Sequence, residues 1–199
     1  MQAWDLFKKA YGTSLDQSQV INWMWYDTQT YTSGATTLLT FFNAVRATKD
    51  LGNMELAGVL AHPKAFIVRA IRIHVKNVPV QDDGALPVAW SNIQLLQTGW
   101  CQFEVGNKNY GIWPIHALPG GSGVYAEAAA AGGEAGDEFL TYGTNGPPDC
   151  RAVYTLSQPL LIDPQINFNL TLHWTTAVTL VADTPIMVML DGELMRPVQ

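Results

Sequence analysis

The sequence predicts an all-β protein: a single jelly roll of eight strands in two sheets, preceded by a short helix and an arm. The clearest observation is residues 166–174, where apolar and polar residues alternate throughout. Side chains on a strand point to opposite faces in turn, so this stretch predicts a strand with one face on a core. Residues 65–75 behave similarly, with Ile71, Ile73 and Val75 inward. About eight such stretches, with almost no helix, favour two packed antiparallel sheets.

An amphipathic helix is predicted at the N-terminus, over residues 3–11. Trp4, Phe7 and Tyr11 fall on one stripe of this helix, and Gly12 is suited to end it. The stripe allows three partners: another subunit, an underlying membrane surface, or the helix's own jelly roll. Packing on another subunit is the favoured hypothesis.

The segment behind the helix is predicted to be an extended arm. Residues 20–31 mix aromatic with polar side chains, which makes them too polar for a core and too apolar for free solvent. An ordinary first strand is the equal alternative. The predicted division is therefore a helix and arm over residues 1–34 and a jelly-roll domain over residues 35–199. The candidate interface residues are Trp4, Phe7, Tyr11, Trp23 and Trp25.

The remaining strands are predicted from alternation and from β-branched and aromatic content. Clusters of Gly, Asn and Asp are expected to separate them as turns at residues 81–84, 106–111 and 191–192. The predicted strands are residues 36–43, 65–75, 93–97, 101–105, 152–162, 166–174, 176–181 and 186–190.

A glycine- and alanine-rich stretch over residues 119–137 interrupts this pattern. It has almost no large apolar side chains, and residues 143–149 extend the irregular region. Long loops in compact domains are usually functional or mobile. We expect residues 119–137 to be an exposed loop that is mobile in an isolated subunit or ordered by a neighbour.

The charge content indicates a surface that is covered by other subunits. Charged residues make up 14% of the chain, against about 25% in typical soluble domains. There are seven Trp, and large interfaces lose charge and gain aromatic residues. The net charge of −6 and the lack of a basic run argue against a nucleic-acid groove.

The two cysteines, Cys101 and Cys150, form one possible pair, which is not a disulfide framework. Cys101 alternates with Phe103 and Val105, so it is expected to be a small core residue. Cys150 precedes a strand and is a candidate free thiol. No signal peptide is expected from the first residues given, and the apolar runs are shorter than a membrane span.

The sequence offers little catalytic chemistry. No two of the four histidines are close in sequence, so no metal site and no cofactor are expected. There is no nucleophile elbow, and no helix follows the glycine-rich run at residues 120–123 that could hold a phosphate. The histidines are His62, His74, His116 and His173.

A scattered aromatic set is compatible with a sugar-stacking surface, because sugars bind to flat aromatic faces. Core and interface packing is the favoured interpretation, since no carboxylates and amides stand beside these residues in the sequence. The set is Trp90, Trp100, Tyr110, Trp113 and Tyr142.

Three segments carry a resemblance to a known family: a loop-proline-strand entry, a glycine-rich turn region, and the C-terminal strands. They are residues 53–73, residues 103–111 with Pro114 and residues 118–123, and residues 159–168 with residues 188–199. In pattern and order they resemble the single jelly-roll major capsid proteins of tailless icosahedral bacteriophages, especially those with an internal membrane. The resemblance covers roughly residues 50–199, and residues 1–34 carry none.

The resemblance implies a structural capsid protein rather than an enzyme. Upright jelly rolls would form capsomers that tile an icosahedral virion shell, with no cofactor and no catalysis. The expected partners are copies of the chain, with a second coat or vertex protein and an internal virion membrane as further candidates. The expected location is the virion, after synthesis in the host cytoplasm.

Two other classes of function remain open from the residues. One is a carbohydrate-binding jelly-roll module on a phage spike or a secreted protein. The other is a jelly-roll enzyme of the cupin type, which is disfavoured because cupins place paired histidines and a glutamate at tight spacing.

Overall fold

The computed structural model describes most of the chain, including all the strands discussed below. The described residues are 3–11, 18–76, 88–121, 125–130, 139–144, 149, 152–180 and 182–197.

Two helices and ten strands are present in these residues. The helices are α1 (Ala3–Tyr11) and α2 (Val88–Thr98), and a short 3-10 turn spans Ile115–Ala117. The strands are β1 (Ser18–Tyr31), β2 (Leu38–Phe41), β3 (Ala65–Val75), β4 (Gly99–Val105), β5 (Lys108–Pro114), β6 (Tyr125–Ala130), β7 (Phe139–Thr144), β8 (Thr155–Ile162), β9 (Phe168–Trp174) and β10 (Thr184–Pro197).

Eight of the strands form two antiparallel four-stranded sheets. Sheet A has the order β1-β10-β3-β8, and sheet B has the order β2-β9-β4-β5. Apart from the β4–β5 hairpin, each step along the eight strands moves the chain to the other sheet. The first and last strands are neighbours in sheet A. This is the jelly roll that the sequence predicted, with β6 and β7 as a separate hairpin inserted between β5 and β8.

The core lies between the two sheets and follows the predicted alternation. In β9, Phe168, Leu170 and Leu172 are buried, while Asn169 and Thr171 are half-buried on the other face. The same pattern holds in β4. The inward direction predicted for Phe168 and Leu170 is confirmed.

Helix α1 packs on the outer face of sheet A. Phe7 is fully buried in a small cluster with Ala65, Ile67 and Met195 of β3 and β10. The Tyr11 hydroxyl at the end of the helix donates a hydrogen bond to the Asp163 carboxylate. The helix therefore covers part of its own jelly roll, which was the alternative to contact with another subunit.

Residues 18–31 are a strand of the sandwich, not an arm. β1 pairs with β10 along its whole length, from Ser18 opposite Pro197 to Tyr31 opposite Thr184. The predicted division after residue 34 therefore falls between β1 and β2, two strands of the same jelly roll. The arm interpretation was wrong because β1 is an edge strand, whose partly exposed face allows polar residues.

Residues 93–97, predicted to be a strand, lie inside α2. A short apolar run does not distinguish a buried helix from a strand by its periodicity. Leu95 and Leu96 are buried, and the Trp174 indole donates a 3.0 Å hydrogen bond to the Leu95 carbonyl. Contact with β9 thus fixes the helix against the sandwich.

Strand β5 was missed because residues 106–111 were expected to be a turn. The turn is only Gly106–Asn107, and Lys108–Pro114 pairs with β4. β5 does not show apolar alternation because it is an edge strand in which Gly111 replaces a side chain beneath the Trp113 ring.

The predicted turn at Asp191–Gly192 lies inside one long strand, opposite a β-bulge whose extra residue is Arg69 of β3. β10 continues through it to Pro197, although the sequence predicted a strand ending at residue 190. A Cβ at Gly192 would lie 1.8 Å from the Ile67 carbonyl oxygen. Glycine is therefore needed for the close approach of β10 to β3, and not for a turn.

Two further predictions differ from the structure. Residues 125–130, expected within a long loop at 119–137, pair with Phe139–Thr144 as a hairpin. Residues 177–180, expected as a strand, form a loop in which the Ser33 hydroxyl accepts a hydrogen bond from the Leu180 N–H at 2.8 Å. The predicted turn at 81–84, and residues 122–124 and 131–138, lie outside the described residues.

The core assignment predicts a contrast between neighbouring positions of β9. Phe168→Ala should lower the free energy of unfolding by about 3–5 kcal/mol, because it removes a buried ring from between the sheets. Asn169→Ala should change it by less than about 0.5 kcal/mol in the isolated chain. Urea denaturation of both variants measures the difference, and equal losses would contradict the register of β9.

The position of β1 predicts different results for two truncations. Removing residues 1–17 deletes α1 and should leave a folded chain, destabilised by about 2–4 kcal/mol because Phe7 no longer covers sheet A. Removing residues 1–31 also deletes β1 and should abolish cooperative melting. If the chain that lacks residues 1–31 melts like the full protein, β1 is dispensable and the arm hypothesis is restored.

Candidate interaction surfaces

The outer face of sheet B is a flat surface made by cross-strand rows. The backbone register places four residues in each of two rows that cross all four strands. The first row is Leu38, His173, Trp100 and Pro114, and the second is Thr40, Thr171, Gln102 and Ile112. None of these eight residues is Lys, Arg, Asp or Glu.

The centre of the first row is an aromatic stack. The Trp100 and His173 rings are parallel, with centroids 3.9 Å apart and an interplanar angle of 4°. The His173 ring nitrogen Nε2 lies 2.8 Å from the Thr171 hydroxyl. Partial burial lowers the pKa of His173, although Glu104 opposes that shift. The imidazole is therefore neutral at pH 7, and the two rows carry no charge.

Glu104 lies at the border of this face, next to the second row, where it is paired with Asn169 of β9 and Asn109 of β5. The Gln102 side-chain amide donates a hydrogen bond to its carboxylate. The Glu104 carboxylate is therefore hydrogen-bonded within β4, and the first and second rows contain only apolar or neutral side chains.

Two large apolar side chains at the sides of the face are exposed. Ile112 of β5 is 59% exposed and Leu38 of β2 is 51% exposed. Single exposed apolar residues are common on protein surfaces. Here they join half-buried Trp100 and His173 in one uncharged surface, which is typical of an interaction site.

The outer face of sheet A is different, since its own chain covers or neutralises it. Helix α1 covers one end. Beyond it, Arg69 pairs with Glu193 at 2.9 Å, and Arg72 pairs with Asp191 at 2.5 Å. A shallow depression of about 630 Å³ lies over this region, beside Trp23. Its charged groups already have partners within the sheet.

A second depression lies where the sandwich opens between the edge strands β5 and β8. It has a volume of about 550 Å³. Tyr110, Trp113 and Tyr154 contribute aromatic rings to its wall, and Gln158 and Asp163 contribute polar groups. We call it the β5–β8 cleft.

The predicted interface residues fall into different environments. Phe7 and Trp25 are buried within the chain and offer no surface to a partner. Tyr11 is half-buried and hydrogen-bonded to Asp163. Trp23 is 38% exposed and packs edge-to-face on Trp25. The side chain of Trp4 lies outside the described residues.

The histidines and cysteines do not form a reactive site in the described part of the chain. No group of three His, Cys, Asp or Glu residues there could hold a metal ion. Burial raises the pKa of the Cys101 thiol to about 12, so it is protonated at neutral pH. Cys150 lies outside the described residues.

No helix in the described part is long and apolar enough to cross a membrane.

The aromatic set considered for sugar stacking is divided between two surfaces. Trp100 uses one ring face on His173, so it does not present a free platform there. Trp113 and Tyr110 line the β5–β8 cleft. The side chains of Trp90 and Tyr142 lie outside the described residues.

Sequence reasoning named Trp100, Tyr110 and Trp113 as possible sugar-stacking residues but did not assign them to these two surfaces, although a signal for sheet B was present. The outward residues of β9 are Asn169, Thr171 and His173, and those of β4 include Trp100 and Gln102. An outer face normally carries more charge, so a single charged residue, Glu104, among the outward residues of these two strands indicated an unusual surface. Without β5, however, Ile112 could not be placed beside them.

Comparisons of the chain with family models, with curated proteins and with solved structures find no match.

The burial of His173 predicts a dependence of stability on pH. The pKa of His173 is lowered in the folded chain, so below about pH 6.5 the unfolded chain binds more protons at this position than the folded chain does. The free energy of unfolding therefore decreases as the pH is lowered. His173→Gln should therefore lose less stability between pH 7 and pH 5 than the native chain does. Leu38→Ala is the control, since it alters the same face without removing a titrating group. Urea denaturation at several pH values measures the effect, and identical slopes for His173→Gln and the native chain would contradict it.

Proposed function

We propose that the protein is a structural coat subunit whose copies assemble, partly through the outer face of sheet B, into capsomers of an icosahedral virion shell. The observation that carries the proposal is that this face has no charged side chain in two rows across the full width of the sheet. Two rows of four residues cross the whole sheet without a formal charge.

The composition of the face suits contact between proteins. The buried centres of interfaces are depleted in charged residues and enriched in aromatic ones. The face combines the Trp100–His173 stack with exposed Leu38 and Ile112, and its polar groups are short hydroxyls and an amide. A partner can cover such a surface without removing charges from water, which is the main penalty of burying polar surfaces.

The asymmetry between the sheets supports a defined orientation of the subunit in an assembly. Helix α1 and two ion pairs occupy the outer face of sheet A. Sheet B has no such cover among the described residues. Repeated contacts through a fixed surface generate closed assemblies when the geometry closes.

The resemblance of residues 50–199 to phage coat proteins supports the same function. Copies of the chain are the proposed principal partners, and the virion is the proposed location. A second coat or vertex protein and an underlying membrane are proposed for the remaining surfaces. No cofactor, catalytic step or nucleic-acid contact is part of the proposal.

A charge at the exposed edge of the face should separate assembly from folding. Ile112→Lys should abolish capsomers and shell-like particles, because assembly would bury an unpaired ammonium group. The isolated chain should keep its free energy of unfolding to within about 1 kcal/mol, since the position is exposed. Negative-stain microscopy and analytical ultracentrifugation measure assembly, and urea denaturation measures folding.

The matched control is Val45→Lys, an equally large change at an exposed position in the loop after β2. This variant should assemble like the native chain. If Ile112→Lys also assembles normally, the face of sheet B is not an interface. If the native chain stays a monomer at all concentrations tested, the coat function itself fails.

A further inference from the structure

The β5–β8 cleft has the size and lining of a site for a small extended ligand. Its volume of about 550 Å³ lies within the usual range of ligand pockets, roughly 300–1,000 Å³. Tyr110 and Tyr154 are 41% and 45% exposed. The cleft does not overlap the two central rows of sheet B.

The indole of Trp113 is held in the cleft by its own strand. A Cβ at Gly111 would lie 2.3 Å from the ring atom Cη2 of Trp113. The ring therefore lies against the backbone of β5, in space that any other residue at position 111 would fill. Trp113 also packs on the core and is only partly buried. This support fixes the ring, which reduces the entropy lost when a ligand stacks on it.

The polar groups beside these rings are neutral or acidic. Gln158 and Ser157 provide an amide and a hydroxyl, and Asp163 provides a carboxylate that already accepts the Tyr11 hydroxyl. None of the described residues that line the cleft is Lys or Arg. A phosphate or another anion would therefore meet no positive charge, and a neutral ligand with hydroxyl groups fits better.

The cleft is poorly suited to an added peptide strand. Pro159 lies in the middle of β8 and has no N–H to donate to a new neighbour. Proline on an edge strand opposes strand addition. Recognition at this edge must therefore depend on side chains.

We propose that the β5–β8 cleft is a binding site for neutral oligosaccharides. Sugar rings stack through their C–H faces on Trp113, Tyr110 and Tyr154, and their hydroxyls bond to Gln158, Ser157 and Asp163. Aromatic rings that carry a polar group suit a sugar, which has apolar C–H faces and polar hydroxyl groups. This site is independent of the proposed assembly through sheet B.

The test titrates the purified chain with cellohexaose, chitohexaose, maltohexaose and mannohexaose by calorimetry. At least one sugar should bind with a dissociation constant between about 10 μM and 1 mM. Tyr154→Ala and Gln158→Ala should each weaken that binding by about tenfold or more. Both positions are exposed, so both variants should fold.

The control is Ile112→Ala, which alters β5 on the face opposite Trp113 and should bind the sugar like the native chain. Absence of binding to all four sugars at about 5 mM would overturn the proposal, and so would binding that Tyr154→Ala and Gln158→Ala leave unchanged. Particle formation by Tyr154→Ala is measured in parallel. Loss of particles without sugar binding would assign the cleft to contact between copies and would also overturn the proposal.

Discussion

The buried carboxylate of Asp27 determines how the two sheets meet. It lies on β1 of sheet A and accepts a 2.6 Å hydrogen bond from the N–H of Phe42, immediately after β2 of sheet B. It also accepts two bonds from the Arg46 guanidinium, at 2.5 and 2.9 Å. Phe42 has a φ of 65°, which is uncommon for a residue with a side chain. The carboxylate thus holds the backbone at the point where the chain passes from one sheet to the other.

The middle of the edge of β1 is covered because of this arrangement. Arg46 lies in the loop after β2, which runs back along β1, where Asn53 exchanges backbone and side-chain hydrogen bonds with Tyr26. An uncovered strand edge is a template for pairing with other chains. Removing the carboxylate would leave the buried part of the Arg46 charge uncompensated, which is among the most damaging changes in a protein interior. The loop and the covered part of the edge depend on the same group.

The sequence was sufficient for the sandwich but not for its edges. Strands β3 and β9 lie in the middle of their sheets, so Ile71 and Leu170 alternate with polar neighbours and the prediction was correct. Edge strands face solvent and partners as well as the core, and β1 and β5 therefore lack that alternation. Asp27 was missed because its role comes from Phe42 and Arg46, which the fold brings to it. The Trp100–His173 stack likewise depends on the register of β4 against β9, which alternation does not determine.

The pairing of β1 with β10 has a consequence for synthesis. The first strand and the last strand of the jelly roll are neighbours, so sheet A cannot close until residues 184–197 have left the ribosome. Contacts between such distant parts of a chain also form slowly. A nascent chain must keep β1 without its partner strand until β10 has been made, and a product that stops before residue 184 lacks β10 entirely. Premature termination before β10 should therefore yield insoluble chains rather than slightly shortened subunits.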